Sequence, residues 1–229
     1  MNEQTPERLR ADFDRIARLP GPGLDHNSRC HDFLLSQLPP RVGEALEVGS
    51  GKGEFSLRLA GRSGRVLGLD LSPEMVRTAS ERAASAGCGH VSFEAGDFLE
   101  AEFEPGRFDA VVSIATLHHV PLAPALQRLA GWLRPGGVLA VLDLYRSSSA
   151  SDRVLDGVSV VLNPFHRLWS EGRLRPPAEV RAAWQAHGVH DRYPTVAEVR
   201  EAAGPLPGAR VRRHLFWRYS LVWTRPAEG

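Results

Sequence analysis

The chain has 229 residues, of which 42% are hydrophobic and 24% are charged. This size and composition suit one globular domain with additions and are short for two independent domains. The 28 basic and 27 acidic side chains nearly cancel, which argues against the strongly basic surface of a nucleic-acid-binding protein.

The cysteines and the apolar runs exclude further classes. Cys30 and Cys88 lie far apart and show no CxxC or Cys/His spacing, so neither a disulfide framework nor a metal site is expected. The segment MNEQTPERLR is polar and no run of about 18 apolar residues occurs, which argues against export and membrane spanning. We therefore expect a cytoplasmic protein.

Short apolar runs alternate with helical patterns between residues 45 and 144, which is typical of βαβ units around a parallel sheet. The pattern predicts strands at Ala45–Val48, Arg65–Leu69, His90–Glu94, Phe108–Ile114 and Val138–Leu142. The last two are near-continuous apolar runs, as expected of central strands covered on both faces. The fold class is therefore α/β.

Two helices are predicted within this alternation. Ser72 and Pro73 have the residue types of an N-cap and a first helical position, for a helix that runs to Ala86 and stops at Gly87. In the second helix, one face carries apolar residues at helical spacing. That face consists of Leu122, Ala125, Leu126, Leu129 and Leu133.

The sequence predicts four parts of one domain. Residues 1–40 form an N-terminal helical lid, residues 41–145 the α/β core, and residues 146–194 an insertion rich in aromatic and arginine side chains. Residues 195–229 form a closing helix and a β-hairpin, with strands at Ala209–Phe216 and Tyr219–Thr224.

Glycines 49, 51 and 53 follow the first predicted strand directly. Glycine at a strand-to-helix turn lets the backbone approach a ligand at the helix N-terminus. A phosphate-binding P-loop is excluded because Leu46 and Gly53 stand where it needs glycine and Ser/Thr. A dinucleotide fingerprint fits poorly, because Glu54 stands at its third glycine and the pattern does not call for the acid Glu47.

Acidic residues close three successive predicted strands. Glu47 would repel a pyrophosphate and attract a cation, and Asp70 can accept from both hydroxyls of a ribose. Asp97 is placed to accept from an exocyclic amine while Phe98 packs on a ring. Sugar, base and cation together predict a positively charged nucleoside as the ligand.

The segments LEVGSGKG, GLDLSPEM, AGDF, FDAVVSIATLHHV and LRPGGVLAVLD, in this order, resemble the class I S-adenosylmethionine-dependent methyltransferases of the small-molecule type, with a domain of the 11/25 kind. The resemblance covers residues 42–145 and extends to the tail RHLFWRYSLVWTRP. It implies a Rossmann-like, seven-stranded, mostly parallel sheet of order 3-2-1-4-5-7-6, with strand 7 antiparallel, helices on both faces and an insertion before strand 6. It implies S-adenosyl-L-methionine as the cofactor of residues 41–145 and S-adenosyl-L-homocysteine as the product.

By position, the resemblance also implies which residues contact each part of the cofactor. Under the methionine part it places Gly49, Ser50, Gly51 and Gly53, with Glu47 near the amino end and the backbone of Ser113 and Ile114 close to the amino group. On the nucleoside it places Asp70 at the ribose, Leu71 and Met75 beside the adenine, Gly96 and Asp97 at the adenine amine, and Phe98 against the ring.

The acceptor end is predicted in less detail. A base is needed only for an acceptor whose proton must leave, and the candidates are His118, His119 and, from the lid, His26. A packing or solvent-facing role for the pair His118 and His119 stays open. A substrate pocket that is part aromatic and part basic is predicted, and its candidate residues are Phe165, Trp169 and Arg173.

The predicted function is transfer of a methyl group to an oxygen or nitrogen atom of a small organic molecule. Alignment of the reacting groups can contribute roughly 7–11 kcal/mol to such a displacement. The alternatives are a nucleic-acid or protein methyltransferase and a non-catalytic S-adenosylmethionine-binding protein. A nucleic-acid target is disfavoured because Ser113-Ile114-Ala115-Thr116 stands where such enzymes carry Asn/Asp-Pro-Pro-aromatic. The expected partner is a small-molecule acceptor, without membrane, and a homodimer stays open.

Overall fold

The computed structural model describes residues 5–19, 27–149, 152–153, 155–162, 177–189 and 191–227. Its strands form one sheet of order β3-β2-β1-β4-β5-β7-β6. The first five strands are parallel, and β7 runs antiparallel to both β5 and β6. This confirms the predicted fold class. The strands are β1 (Val42–Val48), β2 (Ser63–Asp70), β3 (Val91–Ala95), β4 (Phe108–Ile114), β5 (Leu133–Leu144), β6 (Arg210–His214) and β7 (Arg218–Thr224).

Helices surround the sheet, and three of them begin with a capping side chain. Ser72 accepts a hydrogen bond from the Met75 amide at 3.1 Å, as its predicted N-cap role requires. Thr195 and Glu198 form a capping box. The helices are α1 (Pro6–Ala17), α2 (His31–Gln37), α3 (Glu54–Ala60), α4 (Pro73–Ser85), α5 (Leu122–Trp132), α6 (155–162), α7 (Ala178–Gly188) and α8 (Val196–Ala202), with 3₁₀ turns at Ser28–Cys30 and Leu117–His119.

Several element ends differ from the sequence prediction, and two of these differences have a local cause. Leu133 belongs to β5, where it pairs with Phe108, and not to the apolar face of the preceding helix. Its backbone is already extended, with φ −75° and ψ 140°. The hairpin strand β6 stops at His214 because Phe216 and Trp217 take positive φ angles of 60° and 59°, which a strand cannot accommodate. The turn therefore begins earlier than predicted.

The sheet is buried on both faces. One face packs against α5 and α8 through a cluster that includes Leu129 and Tyr219, and the other packs against α2 and α3 through a cluster that includes Leu34 and Phe55. Every residue of β4 except Ile114 is buried, as expected of a central strand. None of the helices in the described ranges is long and apolar enough to cross a bilayer.

Helix α1 lies across α4 and α7 near the carboxyl ends of the strands. Ile16 and Ala17 pack with Met75 and Ala183 in a small apolar cluster. The Asp14 carboxylate accepts from the Ser72 hydroxyl at 2.5 Å and from the Glu74 amide at 3.4 Å. Helix α1 is thus fixed to the N-terminus of α4. The division into lid, core, insertion and closing segment stays a prediction.

Candidate active site

A cavity of about 410 Å³ lies at the carboxyl-terminal edge of the sheet, under α1 and α7. In a parallel sheet the residues that follow neighbouring strands meet at this edge, which is where ligands bind in open α/β folds. The predicted residues from the ends of β1, β2 and β4 and from the loop after β3 meet here. They are Glu47, Gly49, Ser50, Gly51, Asp70, Leu71, Met75, Gly96, Asp97, Phe98 and Ile114.

The glycine turn after β1 is shaped by two different requirements. Gly49 has φ 72°, and a Cβ atom at this position would overlap the Thr116 side chain. Gly51 has φ 52° and faces open space, since a Cβ there would meet no atom within 4 Å. Gly53 is the N-cap of α3, and a Cβ on it would come within 2.7 Å of the Phe93 ring. Gly53 is not part of the cavity lining, so its role is in the turn.

Glu47 is a buried carboxylate at the end of β1, with only 2% of its surface exposed. The Ser56 hydroxyl donates a hydrogen bond to it. Burial raises the pKa of Glu47 to about 8, against an ordinary value of 4.5, although the Ser56 hydrogen bond acts to lower it. No lysine or arginine in the described part of the chain forms an ion pair with Glu47. The group is therefore arranged to receive a positive charge from a ligand.

Asp70 is held rigidly at the end of β2. Its two carboxylate oxygens accept from the Gly51 amide at 2.7 Å and from the Ser72 amide at 2.9 Å. Burial raises the pKa of Asp70 to about 6, and the two amide hydrogen bonds act to lower it. Each oxygen has further acceptor capacity, so the carboxylate can still accept hydroxyl groups of a ligand.

Beyond Asp70, the part of the cavity next to the loop after β3 combines an acid with apolar side chains. Asp97 accepts from the Leu99 amide at 2.8 Å, and Phe98 and Met75 are buried beside it. Ser113 is not among the residues that line the cavity, and a contact of its backbone with the amino group stays a prediction. It is fully buried, and its hydroxyl donates to the Val48 carbonyl at 3.1 Å, which ties β4 to β1.

Comparison with known proteins identifies the family. A family model described as a methyltransferase domain matches residues 45–137. An uncharacterised methyltransferase of Mycobacterium tuberculosis (strain ATCC 25618 / H37Rv) is 32% identical over 207 residues, which cover 87% of this chain and 97% of that protein. The chain is a class I S-adenosylmethionine-dependent methyltransferase. S-adenosylmethionine is accordingly its cofactor.

The chain is also similar to two further methyltransferases. The 27-O-demethylrifamycin SV methyltransferase of Amycolatopsis mediterranei (strain S699) is 32% identical over 164 residues, which cover 62% of this chain and 60% of that protein. A crystal structure of a SAM-dependent methyltransferase from Aquifex aeolicus superposes with a TM-score of 0.57 at 18% identity, covering 96% and 98% of the two chains. The latter similarity concerns the fold alone.

The residues of this methyltransferase fit the cofactor of its family. The Ser50 hydroxyl is buried and has no hydrogen-bond partner among the described residues, and a buried polar group without a partner is costly. Ser50 lies between the side-chain-free backbone of Gly49 and Gly51 and lines the same cavity as the buried Glu47. A ligand with a polar, positively charged amino-acid end and a nucleoside meets these unsatisfied groups.

The two predicted histidines of the methyltransferase occupy different positions. His118 lies behind the cavity wall, where its Nδ1 is 2.6 Å from an Asp143 oxygen and its amide donates to the other oxygen at 3.0 Å. Burial lowers the pKa of His118, but the Asp143 carboxylate outweighs this and leaves the pKa raised. His119 lines the cavity. Burial, and then the neighbouring His118, lower the pKa of His119.

The sequence did not indicate two further groups beside these histidines. His187 on α7 and Asp191 after it approach the 3₁₀ turn Leu117–His119, with Asp191 Oδ1 lying 3.4 Å from His119 Nδ1 and 3.8 Å from His187 Nε2. Asp191 Oδ2 lies 3.9 Å from His118 Nε2. We call His118, His119, His187 and Asp191 the histidine cluster. His26 and the predicted pocket residues Phe165, Trp169 and Arg173 lie outside the described residues.

The remaining wall of the cavity is apolar and comes from α1, α7 and the loop before α5. It consists of Leu9, Phe13, Ile16, Leu19, Val120, Pro121, Val180 and Trp184. Three of these residues, Leu9, Phe13 and Ile16, have the spacing of one helix face, which was the sequence signal for this wall. His31 also lines the cavity, close to the Phe55 ring, with 5.1 Å between ring centroids.

Proposed function

We propose that this methyltransferase transfers a methyl group to an oxygen atom of a small, largely apolar organic molecule. The observation that carries the proposal is one continuous cavity, with the acids and the glycine turn at one end and the apolar wall of α1 and α7 at the other. Such a mixed cavity suits a charged nucleoside beside an uncharged organic acceptor. A relative named for methylation at an oxygen, the 27-O-demethylrifamycin SV methyltransferase, supports the choice of oxygen.

Under this proposal the acidic end of the cavity holds the cofactor, which when bound supplies a methyl group on a positively charged sulfur. Glu47 and Ser50 receive the charged amino-acid end, because both are buried and lack a partner of that kind. Asp70 accepts the ribose hydroxyls, and Asp97 with Phe98 holds the adenine. Most of the chain's contribution is then positioning, which can lower a barrier by roughly 7–11 kcal/mol.

The apolar end holds the acceptor and excludes water from the transfer. A hydroxyl acceptor must lose its proton during the reaction, and a positioned group assists that step. His119 is at the correct end of the cavity, beside the Phe13 ring, with 5.7 Å between ring centroids. His31 lines the opposite end beside Phe55. We therefore assign His119, and not His31, to the acceptor hydroxyl, which its buried ring nitrogens reach only after the ring turns towards the cavity.

The geometry favours a small acceptor over the alternatives. The cavity is covered by α1 and α7, and its acceptor wall carries apolar side chains instead of the cationic ones that a nucleic acid requires. A protein substrate would have to enter the same covered space with a side chain.

The first test is binding of the cofactor and of S-adenosylhomocysteine by isothermal titration calorimetry. If the folded protein binds neither S-adenosylmethionine nor S-adenosylhomocysteine, the proposal is refuted. The second test is incubation with S-adenosylmethionine labelled in the methyl group and a panel of hydroxylated apolar compounds. Label in the organic extract, on an oxygen by mass spectrometry, is the expected result. Label in precipitated protein or nucleic acid would support an alternative target, and binding without any transfer would support a non-catalytic protein.

A matched pair of variants tests the role of His119. His119→Phe keeps a ring of similar size and removes both nitrogens, and it should lower kcat for a hydroxyl acceptor by about 10²–10⁴-fold. His90→Phe makes the same change at an exposed position just before β3, at the amino end of the strand, and should leave kcat unchanged. Equal kcat values for both variants would remove His119 from the reaction.

A further inference from the structure

The histidine cluster brings three imidazole rings around one carboxylate without forming hydrogen bonds to it. The ring nitrogens of His119, His187 and His118 lie 3.4, 3.8 and 3.9 Å from the nearest Asp191 oxygen. A hydrogen bond between such atoms measures about 2.7–3.2 Å. The spacing is therefore too long for direct pairing, although all four side chains are at most 5% exposed.

The unused nitrogens are buried. Neither ring nitrogen of His119 has a hydrogen-bond partner among the described residues, and His187 Nδ1 is also without one. Only 2% of the surface of each of these side chains is exposed. A buried polar atom without a partner costs about 1–3 kcal/mol, so a bound group that meets His119 would stabilise the cluster. His187 Nδ1 faces Asp12 Oδ2 instead, at 3.7 Å.

The spacing of the donor atoms fits a metal ion. One donor atom each from His118, His119 and Asp191 lies within 4.8 Å of the other two. With metal–ligand bonds of about 2.0–2.1 Å, neighbouring donors of a tetrahedral ion lie about 3.3 Å apart. The 3.4 Å between His119 and Asp191 already matches this value, and the longer separations require only small side-chain movements. His187 Nε2 lies 3.8 Å from Asp191 Oδ1 but is not part of this mutually close set.

The cluster also has the outer contacts that metal ligands need. The Asp143 carboxylate lies 2.6 Å from His118 Nδ1, which leaves Nε2 of that ring directed towards Asp191. The Tyr193 hydroxyl donates to Asp191 Oδ2 at 2.8 Å. Ligating histidines in metal sites commonly donate their second nitrogen to a carboxylate in this way, which fixes the orientation of the ring.

We propose that the histidine cluster binds one divalent transition-metal ion of the zinc type. The ligand set of imidazoles and one carboxylate suits zinc, whereas magnesium and calcium prefer sites made of oxygen atoms. The ion would join the segment after α7 to the turn after β4, and it would lie at the wall of the cavity, because His119 lines that wall. His119 would then be a ligand, so the role of base assigned to it above applies to the metal-free protein. The inference goes beyond the proposed function. It also differs from the sequence-based expectation of no metal site, which was made without considering Asp191 and His187.

The test is metal binding by the full chain after any polyhistidine tag has been removed and bound ions have been stripped with a chelator. Titration with Co²⁺, followed by its visible absorption, and calorimetry with Zn²⁺ should each give one equivalent per chain, with Zn²⁺ displacing Co²⁺. His119→Phe and Asp191→Asn should weaken Zn²⁺ binding by at least about 100-fold. Asp143→Asn should weaken it by about 10–100-fold, as for other outer partners of metal ligands.

His90→Phe is the matched control and should bind Zn²⁺ as tightly as the wild type does. Circular dichroism of each variant establishes that it is folded before its Zn²⁺ affinity is interpreted. One folded variant of the histidine cluster is sufficient for comparison with the wild type. Absence of stoichiometric binding by the wild type would overturn the proposal, as would wild-type affinity in folded His119→Phe or Asp191→Asn. Because the titrations contain neither cofactor nor acceptor, their outcome is independent of whether methyl transfer is observed.

Discussion

Replacing Glu47 by glutamine tests the electrostatics of the cofactor end. Burial raises the pKa of Glu47 to about 8 from 4.5, so between these values the folded chain keeps a proton that the unfolded chain has lost. The stability of the wild type must then fall as the pH rises through this range. At pH 7 the destabilisation amounts to about 3 kcal/mol, at about 1.4 kcal/mol for each pH unit above the ordinary pKa. Glutamine cannot ionise, and it can still accept from the Ser56 hydroxyl.

The measurement is urea unfolding of wild type and Glu47→Gln at pH 5 and pH 7. The variant should be the more stable protein at pH 7, and its advantage should grow by about 2–3 kcal/mol between the two pH values. Glu44→Gln is the control on the same strand, where the carboxylate accepts from Arg107 near the surface. A Glu47→Gln advantage that does not change with pH, or that the control reproduces, would refute the reasoning.

The same variant should lose affinity for the cofactor. Loss of a charge-assisted hydrogen bond costs about 1.5–3 kcal/mol, or about 10–100-fold in Kd. Binding of a positive charge should also drive the proton from wild-type Glu47. Calorimetry at pH 7 in two buffers of different ionisation enthalpy should therefore show proton release by the wild type and none by Glu47→Gln. Equal proton release by both proteins would exclude Glu47 as the group that meets the cationic end.

Three further outcomes are expected. Gly49→Ala should cost more than about 3 kcal/mol of unfolding free energy, because a Cβ would overlap Thr116. The control Gly87→Ala, with a similar φ of 68° and open space around it, should cost only about 1–2 kcal/mol. Equal costs in urea unfolding would contradict the steric explanation. Asp14→Asn should raise the KM for the cofactor and cost about 1 kcal/mol of unfolding free energy, because its hydrogen bonds to α4 are weakened. An unchanged KM would mean that α1 does not cover the cofactor end of the cavity. Trp184→Ala should raise the KM for the acceptor while changing the urea midpoint little, because this side chain is 44% exposed; a large loss of stability without a change in KM would assign it to packing.

The sheet was predictable because its strands carry their own signals. The bounds of β4 follow from one near-continuous apolar run, and α4 begins where Ser72 and Pro73 predict. The errors lie where tertiary contacts outweigh local pattern. Leu133 has helical spacing from the preceding leucines but is drawn into β5 by its pairing with Phe108.

The residues of the candidate site were predictable where they follow a strand of the sheet. The acids after β1 to β3 meet because parallel strands end at one edge, and this requires only the strand order. Asp143 could have been found by the same argument, since it lies near the end of β5 beside β4. Asp191 could not, because it follows α7 in an irregular segment and reaches the site only through the packing of that helix. Gly53 is the N-cap of α3, so its place beside the ligand stays a prediction.

The attachment of α1 has a consequence for the speed of the enzyme. The helix roofs the cavity, and it is tied down by Asp14 and by the Lys52 ammonium group, which donates to the Leu19 carbonyl at 2.8 Å. We expect exchange of the cofactor to require these ties to open. The turnover number would then depend on contacts that are remote from the transferred carbon.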